Sequence, residues 1–507
     1  MTRAIEALAA ALLALGLLAG CEVGPDFLRP AAPPVTSYTP EPLAAKTAAA
    51  DVPAGEAQRF TDGLDIPGEW WTLFHSEPLN ALIGEALAAN PSLEAAQAAL
   101  RQAKENVIAQ EGALFPSVTA NASATREKIS GASFGIPSTS PTLGLTTASL
   151  NVSYALDVFG GVRRQTESLE AQEEYQRFQL EASYLSLTSN VVVAAVTEAS
   201  LRAQIAATED IIDIETRELD VLEQQLQLGG ASKAAVLAQQ ATLAQARATL
   251  PPLQKQLAQT RNQLAALAGR YPSQEPAKKF ELASLRLPEE LPLSLPSKLV
   301  EQRPDVRAAE AELHAASANI GVATANQLPQ FNITAELGTT SLGFGRLFAP
   351  GTGVWSIGGS VAQTVFDAGT LLHKKRAAVA AYEQAAAQYR NTVLTAFQNV
   401  ADALRALQSD ADAVKAQAEA VHSAADSLAI SREQYQAGAI TYTALLTAEQ
   451  AYQLARISLV EAQANRFADT AALFQALGGG WWNRSDVAAN KAGEPERFWL
   501  PPLPTGN

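Results

Sequence analysis

Hydrophobic positions along the chain switch between two periods. Residues 79 to 113 are Ala-rich and place Leu79, Leu82, Ile83, Ala86, Leu87 and, past Pro91, Leu93, Ala96 and Leu100 at helical spacing. Pro116 ends that run. Ser117 to Thr125 then alternates Val118, Ala120, Ala122 and Ala124 with Ser117, Thr119, Asn121, Ser123 and Thr125, the period of a strand with one wet face. After a Gly/Ser/Pro loop from Lys128 to Thr146, Leu150, Val152, Tyr154, Leu156 and Val158 alternate with Asn151, Ser153, Ala155 and Asp157, which predicts a hairpin with strands at about 116–126 and 147–159. From Gly161 to Leu228 no Pro and no further Gly interrupts, predicting a helix about 100 Å long at about 1.5 Å per residue. A shorter helix returns from Ser232 to Leu267, bent by Pro251-Pro252.

The same plan occurs twice. Asn90-Pro91-Ser92-Leu93-Glu94-Ala95-Ala96 sets against Arg303-Pro304-Asp305-Val306-Arg307-Ala308-Ala309 at an offset of 213. Val158-Phe159-Gly160 sets against Val365-Phe366-Asp367 at 207, Leu226-Gln227-Leu228-Gly229 against Tyr435-Gln436-Ala437-Gly438 at 209, and Leu267-Ala268-Gly269 against Leu477-Gly478-Gly479 at 210. The second unit has its own alternating strands, at about 330–340 and 353–366, an uninterrupted long stretch from Ala368 to Ala437 and a returning helix from Thr443 to Leu477. In each unit the N-terminal helix and the returning helix together match the long one, so they are read as its end-to-end stacked partners.

Composition bounds the class. The 507 residues are 47% hydrophobic and 18% charged with formal net charge −15, which excludes a disordered polyanion and a polytopic helical membrane protein. The acidic balance lacks the basic footprint that nucleic acid requires. One Cys, Cys21, excludes an internal disulfide and thiolate metal sites. Residues 1–20 carry Arg3, an apolar run from Ala7 to Leu18 and then Ala19 and Gly20, which reads as a secretory leader. Leu18-Ala19-Gly20-Cys21 resembles the bacterial lipobox, which implies a covalent lipid on Cys21; no cofactor is expected besides it. The expected organisation is the leader (1–20), a Pro/Ala-rich lipid-anchored tether (21–68), a first repeat (69–270), an inter-repeat linker (271–298), a second repeat (299–479) and a C-terminal tail (480–507).

Four strands of about ten residues fit a tilted transmembrane β-strand but cannot close a barrel, and unpaired edges are not viable in lipid. The chain must borrow strands from other copies, and dimers or trimers are the economical choices. Three chains would supply twelve strands around a polar lumen facing Asn151, Asp157, Asn332 and Glu336. The fold class is therefore an α+β membrane protein, a duplicated unit of long helices plus β-hairpin; as a trimer it would form a 12-stranded β-barrel continued by a 12-helix α-barrel, which the resemblance below places in the periplasm.

This organisation resembles the TolC-like outer membrane factor family, in its lipoprotein branch serving tripartite efflux. The residues carrying the resemblance are the lipobox, Gly24-Pro25-Asp26-Phe27, Trp70-Trp71 with Phe74 and Leu79, Asn90-Pro91, Leu156-Asp157-Val158-Phe159-Gly160 and Val365-Phe366-Asp367-Ala368-Gly369. The resemblance implies a homotrimeric exit duct in the bacterial outer membrane, reaching into the periplasm to a periplasmic adaptor and an inner-membrane transporter, with no catalysis. By position it implies a periplasmic aperture at Leu226, Tyr435, Thr443 and Leu446, and adaptor contact at the hairpin tips Gly229 and Gly438, where Gly also simply permits a left-handed helix end. Family members often carry Asp in the returning helix, where this chain has Ala235 in the first unit and Ala444 or Thr447 in the second. An aperture closed by packing and hydroxyl contacts, weakly blocked by multivalent cations, is expected.

Other classes fit less well. Gly131-Ala132-Ser133-Phe134-Gly135 matches G-x-S-x-G but lies in the hairpin loop, without the strand-turn-helix setting of a nucleophile. The four His residues never fall at i, i+3 or i, i+4, so no helical His metal pair is expected. The basic runs Arg163-Arg164 and His373-Lys374-Lys375-Arg376 suit lipid headgroups, lumen or plain solvent equally. A duct for protein (type I) secretion is the alternative within the class, and a lipid-anchored coiled-coil envelope spacer is the alternative outside it. A spacer has no use for four membrane-length strands.

Overall fold

The computed structural model describes residues 22–130, 142–274 and 279–485. The leader, Cys21 and the G-x-S-x-G of residues 131–135 lie outside the described residues, as does most of the tail.

The duplication is visible in element lengths. Helix α1 (Glu77–Ala89) and helix α2 (Pro91–Glu111) precede strands β2 (Ser117–Lys128) and β3 (Thr142–Leu156), the short β1 (Arg59–Asp62) lying upstream. Helix α3 (Gly161–Gln227) follows, then α4 (Lys233–Leu267). The second unit runs β4 (Glu290–Leu293), α5 (Pro296–Gln302), α6 (Pro304–Ala325), β5 (Gln330–Ser341), β6 (Gly353–Ala362), α7 (Thr370–Gln436) and α8 (Tyr442–Ala476). The long helices α3 and α7 have 67 residues each, and the returning α4 and α8 have 35 each. Pro251 and Pro252 sit inside α4 without ending it. The long helices keep an apolar seam: on α3, Phe178, Leu185, Val192, Ala199, Ile211 and Leu222 are all buried. By length and composition α3 is apolar enough to cross a membrane, but 61% of its most apolar window is buried inside the chain, as in a core helix.

The core sits mid-way along the rods, where both repeats meet. Trp70 stacks on Phe474 with ring centroids 5.3 Å apart, and Phe74 lies against Phe467 at 6.2 Å. Leu79, Ile83, Val191, Leu264, Leu299 and Leu404 close around them. Strands β1 and β4 pair in parallel at this level. The segment before β1 runs over the body as a strap. Arg466, fully buried, holds it by donating to Ala54 O (2.7 Å), Glu56 O (2.6 Å) and Thr47 Oγ1 (3.1 Å).

Two expected details change. Strands β3 and β6 end at Leu156 and Ala362, before Asp157 and Val365-Phe366. Asp157 is thus not a strand residue facing a lumen: its carboxylate accepts from Val162 N (2.9 Å) and Arg163 N (3.0 Å), capping α3. Asp367 does the same for α7, accepting from Gly369 N (2.8 Å) and Leu371 N (2.7 Å). Helix capping outcompetes the alternation there, because the first turn's N–H groups have no other acceptor. The repeat register at this point is 209, Gly160 to Gly369, in place of the 207 expected from the Val-Phe match.

Candidate functional site

The four long strands form one antiparallel sheet in the order β2-β3-β5-β6, and its register sorts the side chains by face. One row reads Val118, Val152, Ala335, Ile357 and the next Ala120, Leu150, Leu337, Trp355. The row between them, on the opposite face, is Thr119, Asn151, Glu336, Ser356. One face is apolar and exposed, with Trp355 76% and Val118 64% accessible, and the other is polar. Strands β2 and β6 each have one unpaired edge among the described residues. An apolar face of this kind suits lipid and the polar face water, and in lipid unpaired strand edges are costly.

Where the sheet gives way to helices, the start of the described chain is pinned. The Arg164 side chain, 5% exposed, donates to Asp26 Oδ1 (2.7 Å), Glu167 Oε2 (2.7 Å) and Val23 O (3.3 Å) and pairs with Glu22 Oε1 (3.3 Å). Those partners hold its guanidinium above the ordinary Arg range against the opposing effect of burial. Gly24 packs backbone to backbone on Gly321: a Cβ at Gly24 would stand 2.4 Å from Gly321 Cα. The basic pair was therefore neither solvent-facing nor lipid-facing as a unit. Arg164 is an internal clamp, and Arg163 pairs with Asp157 at 3.2 Å. Nothing local in the sequence distinguishes the two arginines.

At the far end, both helical hairpins turn in the same way. Gly229 (φ +78°) and Gly438 (φ +71°) take the left-handed conformation with open space around them. Ser232 and Thr441 then cap α4 and α8, accepting from Ala235 N (3.1 Å) and Ala444 N (3.3 Å). Leu226 and Tyr435 are half-buried, Thr443 is exposed, and Leu446 is buried inside the protomer. Side-chain bonds tie the first hairpin to the second, among them Tyr435 Oη to Gln225 Oε1 (3.4 Å), Tyr442 Oη to Glu218 Oε2 (3.1 Å) and Arg456 Nη2 to Asp210 Oδ2 (3.3 Å). A cavity of about 710 Å³ opens between the tips, lined by Glu218, Leu222, Gln225, Arg432, Tyr435 and Tyr442.

Just inside this cavity lies an acidic grouping to which the spacing of the His residues gives no clue. Glu215 and Glu218 of α3 meet Glu449 of α8, with one carboxylate oxygen of each within 4.8 Å of the others. Gln239 Nε2 of α4 donates to Glu215 Oε2 (2.6 Å), and Arg432 Nη2 of α7 to Glu449 Oε1 (2.8 Å). Burial and the adjacent Glu449 push the Glu218 carboxyl up to about 8, and burial pushes Glu215 up and Tyr442 above its ordinary range. A signal existed in the sequence: Thr208, Ile211, Glu215, Glu218 and Leu222 continue the alternating three- and four-residue spacing of the buried seam, so two carboxylates fall where apolar residues belong.

A sequence-family profile described as Outer membrane efflux protein matches residues 82–270 and 295–479. The chain is 30% identical over 495 residues to the toluene efflux pump outer membrane protein TtgC of Pseudomonas putida, covering 97% of this chain and 99% of that protein. It is 29% identical over 471 residues to the cation efflux system protein CusC of Escherichia coli O6:H1, covering 92% and 96%. The crystal structure of the open state of the Neisseria gonorrhoeae MtrE outer membrane channel matches with a TM-score of 0.78 at 27% identity, over 91% of this chain and 99% of that one.

Proposed function

The chain belongs to the outer membrane efflux protein family, and on that premise we propose how its copies assemble into a duct. The protein resides in the outer membrane and acts as the exit duct of a tripartite efflux pump for small molecules. The family is one of channels and not of enzymes.

In our reading three copies pair β6 of each with β2 of the next, giving twelve strands with no free edge. The observation that carries this is the sheet itself: four strands, two unpaired edges, one apolar face and one polar face. The Thr119-Asn151-Glu336-Ser356 row then faces a water-filled lumen and Trp355 faces lipid. Below the barrel the long helices and their stacked partners continue as a twelve-helix tube. The tips at Gly229 and Gly438 receive a periplasmic adaptor, which links the duct to an inner-membrane transporter. Tyr435, Thr443 and Leu226 border the aperture, and buried Leu446 supports the helix that presents Thr443. A lipid on Cys21 fits the same picture, since Arg164 fixes Glu22 and Asp26 beside the start of α3, where the strands end.

Cysteine crosslinking tests the assembly. Thr119→Cys on β2 is combined in turn with Ser356→Cys, Ser360→Cys and Gly358→Cys on β6, in outer membranes under mild oxidation. Covalent trimers in at least one pairing are expected. Chains that stay monomeric in every pairing overturn the trimeric barrel.

A further inference from the structure

Two occupants can offset three carboxylates packed against each other inside a protein: protons or a cation. Around Glu215, Glu218 and Glu449 the geometry favours the second. Glu215 and Glu449 are 0% and 1% exposed, and Glu215 Oε1 and Glu449 Oε2 are buried without any donor. Fully buried Gln239, spent on Glu215 through its amide nitrogen, leaves its own carbonyl oxygen without a donor as well. A proton shared by Glu218 and Glu449 supplies no donor to Glu215 Oε1, which faces only the side-chain amide of Gln453 on α8, and an unsatisfied buried oxygen is costly. The guanidinium that reaches the cluster is Arg432, so three carboxylates against one cation leave two formal negative charges, the complement of one divalent ion.

We propose that Glu215, Glu218 and Glu449 bind a hard divalent cation of the calcium class. The donor set is all oxygen, which suits calcium and disfavours copper, silver or zinc, whose affinity rests on sulfur and imidazole. Oxygens lying within 4.8 Å of one another are close enough to share one ion at metal–oxygen distances of about 2.3 to 2.6 Å. The cavity between the tips gives an entry path, since Glu218, Arg432 and Tyr442 line its wall. Because Glu215 and Glu218 sit on α3 and Glu449 on α8, the ion ties the first helical hairpin to the second, about two to three helical turns from the tips. It thereby reinforces the link that Tyr442 and Glu218 already make.

Terbium, a calcium mimic excited through nearby tyrosine, reports on this site because Tyr442 Oη is 3.1 Å from Glu218 Oε2. The purified full-length protein in detergent is stripped with EDTA and titrated with terbium chloride under tyrosine excitation. Saturable emission at one ion per chain is expected, displaced by excess calcium and reduced at least tenfold in the Glu215→Gln/Glu218→Gln double variant. Emission that the double variant leaves unchanged, or no saturable emission, overturns the site. Should the double variant fail to fold, Tyr442→Phe decides: it keeps the carboxylates, so it should lose the emission but retain a calcium-dependent rise in melting temperature like that of the parent. Absence of that rise in both proteins overturns the proposal. Since binding is read per chain, the result stands apart from whether the barrel closes as a trimer.

Discussion

Asn90 Nδ2 donates to the carbonyl of Leu267 at 2.8 Å, joining the start of α2 to the end of α4 across 177 residues. Arg303 makes the equivalent link in the second repeat, donating to Ala476 O at 3.0 Å between α6 and α8. Gly269 and Gly478 stand at the same two junctions, each so close to a carbonyl (Ala89 O and Gln302 O) that a Cβ would lie 2.2 and 2.4 Å from it. Each repeat thus builds a second rod from two stacked helices beside its single long one.

Asn90 also caps α2 through Oδ1, accepting from Ser92 N at 2.9 Å. Asn90→Ala removes cap and link together and should destabilise by about 1 to 3 kcal/mol. Asn90→Asp keeps the cap and should lose only part of that. Thermal melts of both variants check this, and equal melting temperatures for parent and Asn90→Ala would refute the junction's role.

Arg164 is the strap's clamp, so Arg164→Ala leaves Glu167 with His314 as its partner (Nε2 to Oε1, 2.9 Å) and frees residues 22–26. The expected cost is about 2 to 3 kcal/mol, at the low end for a broken buried pair because Asp26 is largely exposed. Arg164→Lys keeps the charge without the fork and should recover less than half. Gly24→Val should mimic the release by collision with Gly321. Limited proteolysis within residues 22–45 is the readout, and unchanged protection in all three variants would contradict the clamp.

The returning helix α8 presents Ala444 and Thr447 on exposed surface near the tips, with no carboxylate at either position. Conductance of the reconstituted channel should therefore be weakly blocked by a trivalent cation added on the periplasmic side. Ala444→Asp, which introduces one carboxylate per chain at the aperture, should strengthen the block at least tenfold. Strong block in the parent channel would show that another acidic ring controls the lumen.

Asp410 of α7 gives a stability effect with a defined sign. Burial and the neighbouring Asp469 push its carboxyl up to about 7, with Arg466 opposing. The folded state therefore disfavours the ionised form. Its contribution is fully present below the ordinary carboxylate value near 4 and is lost as pH rises through about 7. Asp410→Asn should raise the melting temperature relative to the parent at pH 8 and have little effect at pH 4. A variant whose melting temperature tracks the parent at both values would refute it.

The sequence alone determined what short-range physics controls. Sixty-seven residues without Pro or internal Gly propagate one helix, Gly229 and Gly438 end two of them, and alternation of small apolar and hydroxyl side chains marks the four strands. Each of these is a property of backbone torsion and local spacing, so it is legible before folding, and the duplication doubles the signal. The tertiary structure decided what depends on remote partners. Asp157 left the strand to cap a helix, since free N–H groups at a helix start outweigh one more alternating position. Arg164 turned inward while Arg163 stayed with Asp157, because only one of them meets the strap. Glu215 and Glu449, 234 positions apart, became a buried acidic pair with Glu218 only when α3 and α8 fixed their relative height. A shift of one helical turn would separate those charges, and no local pattern sets that register.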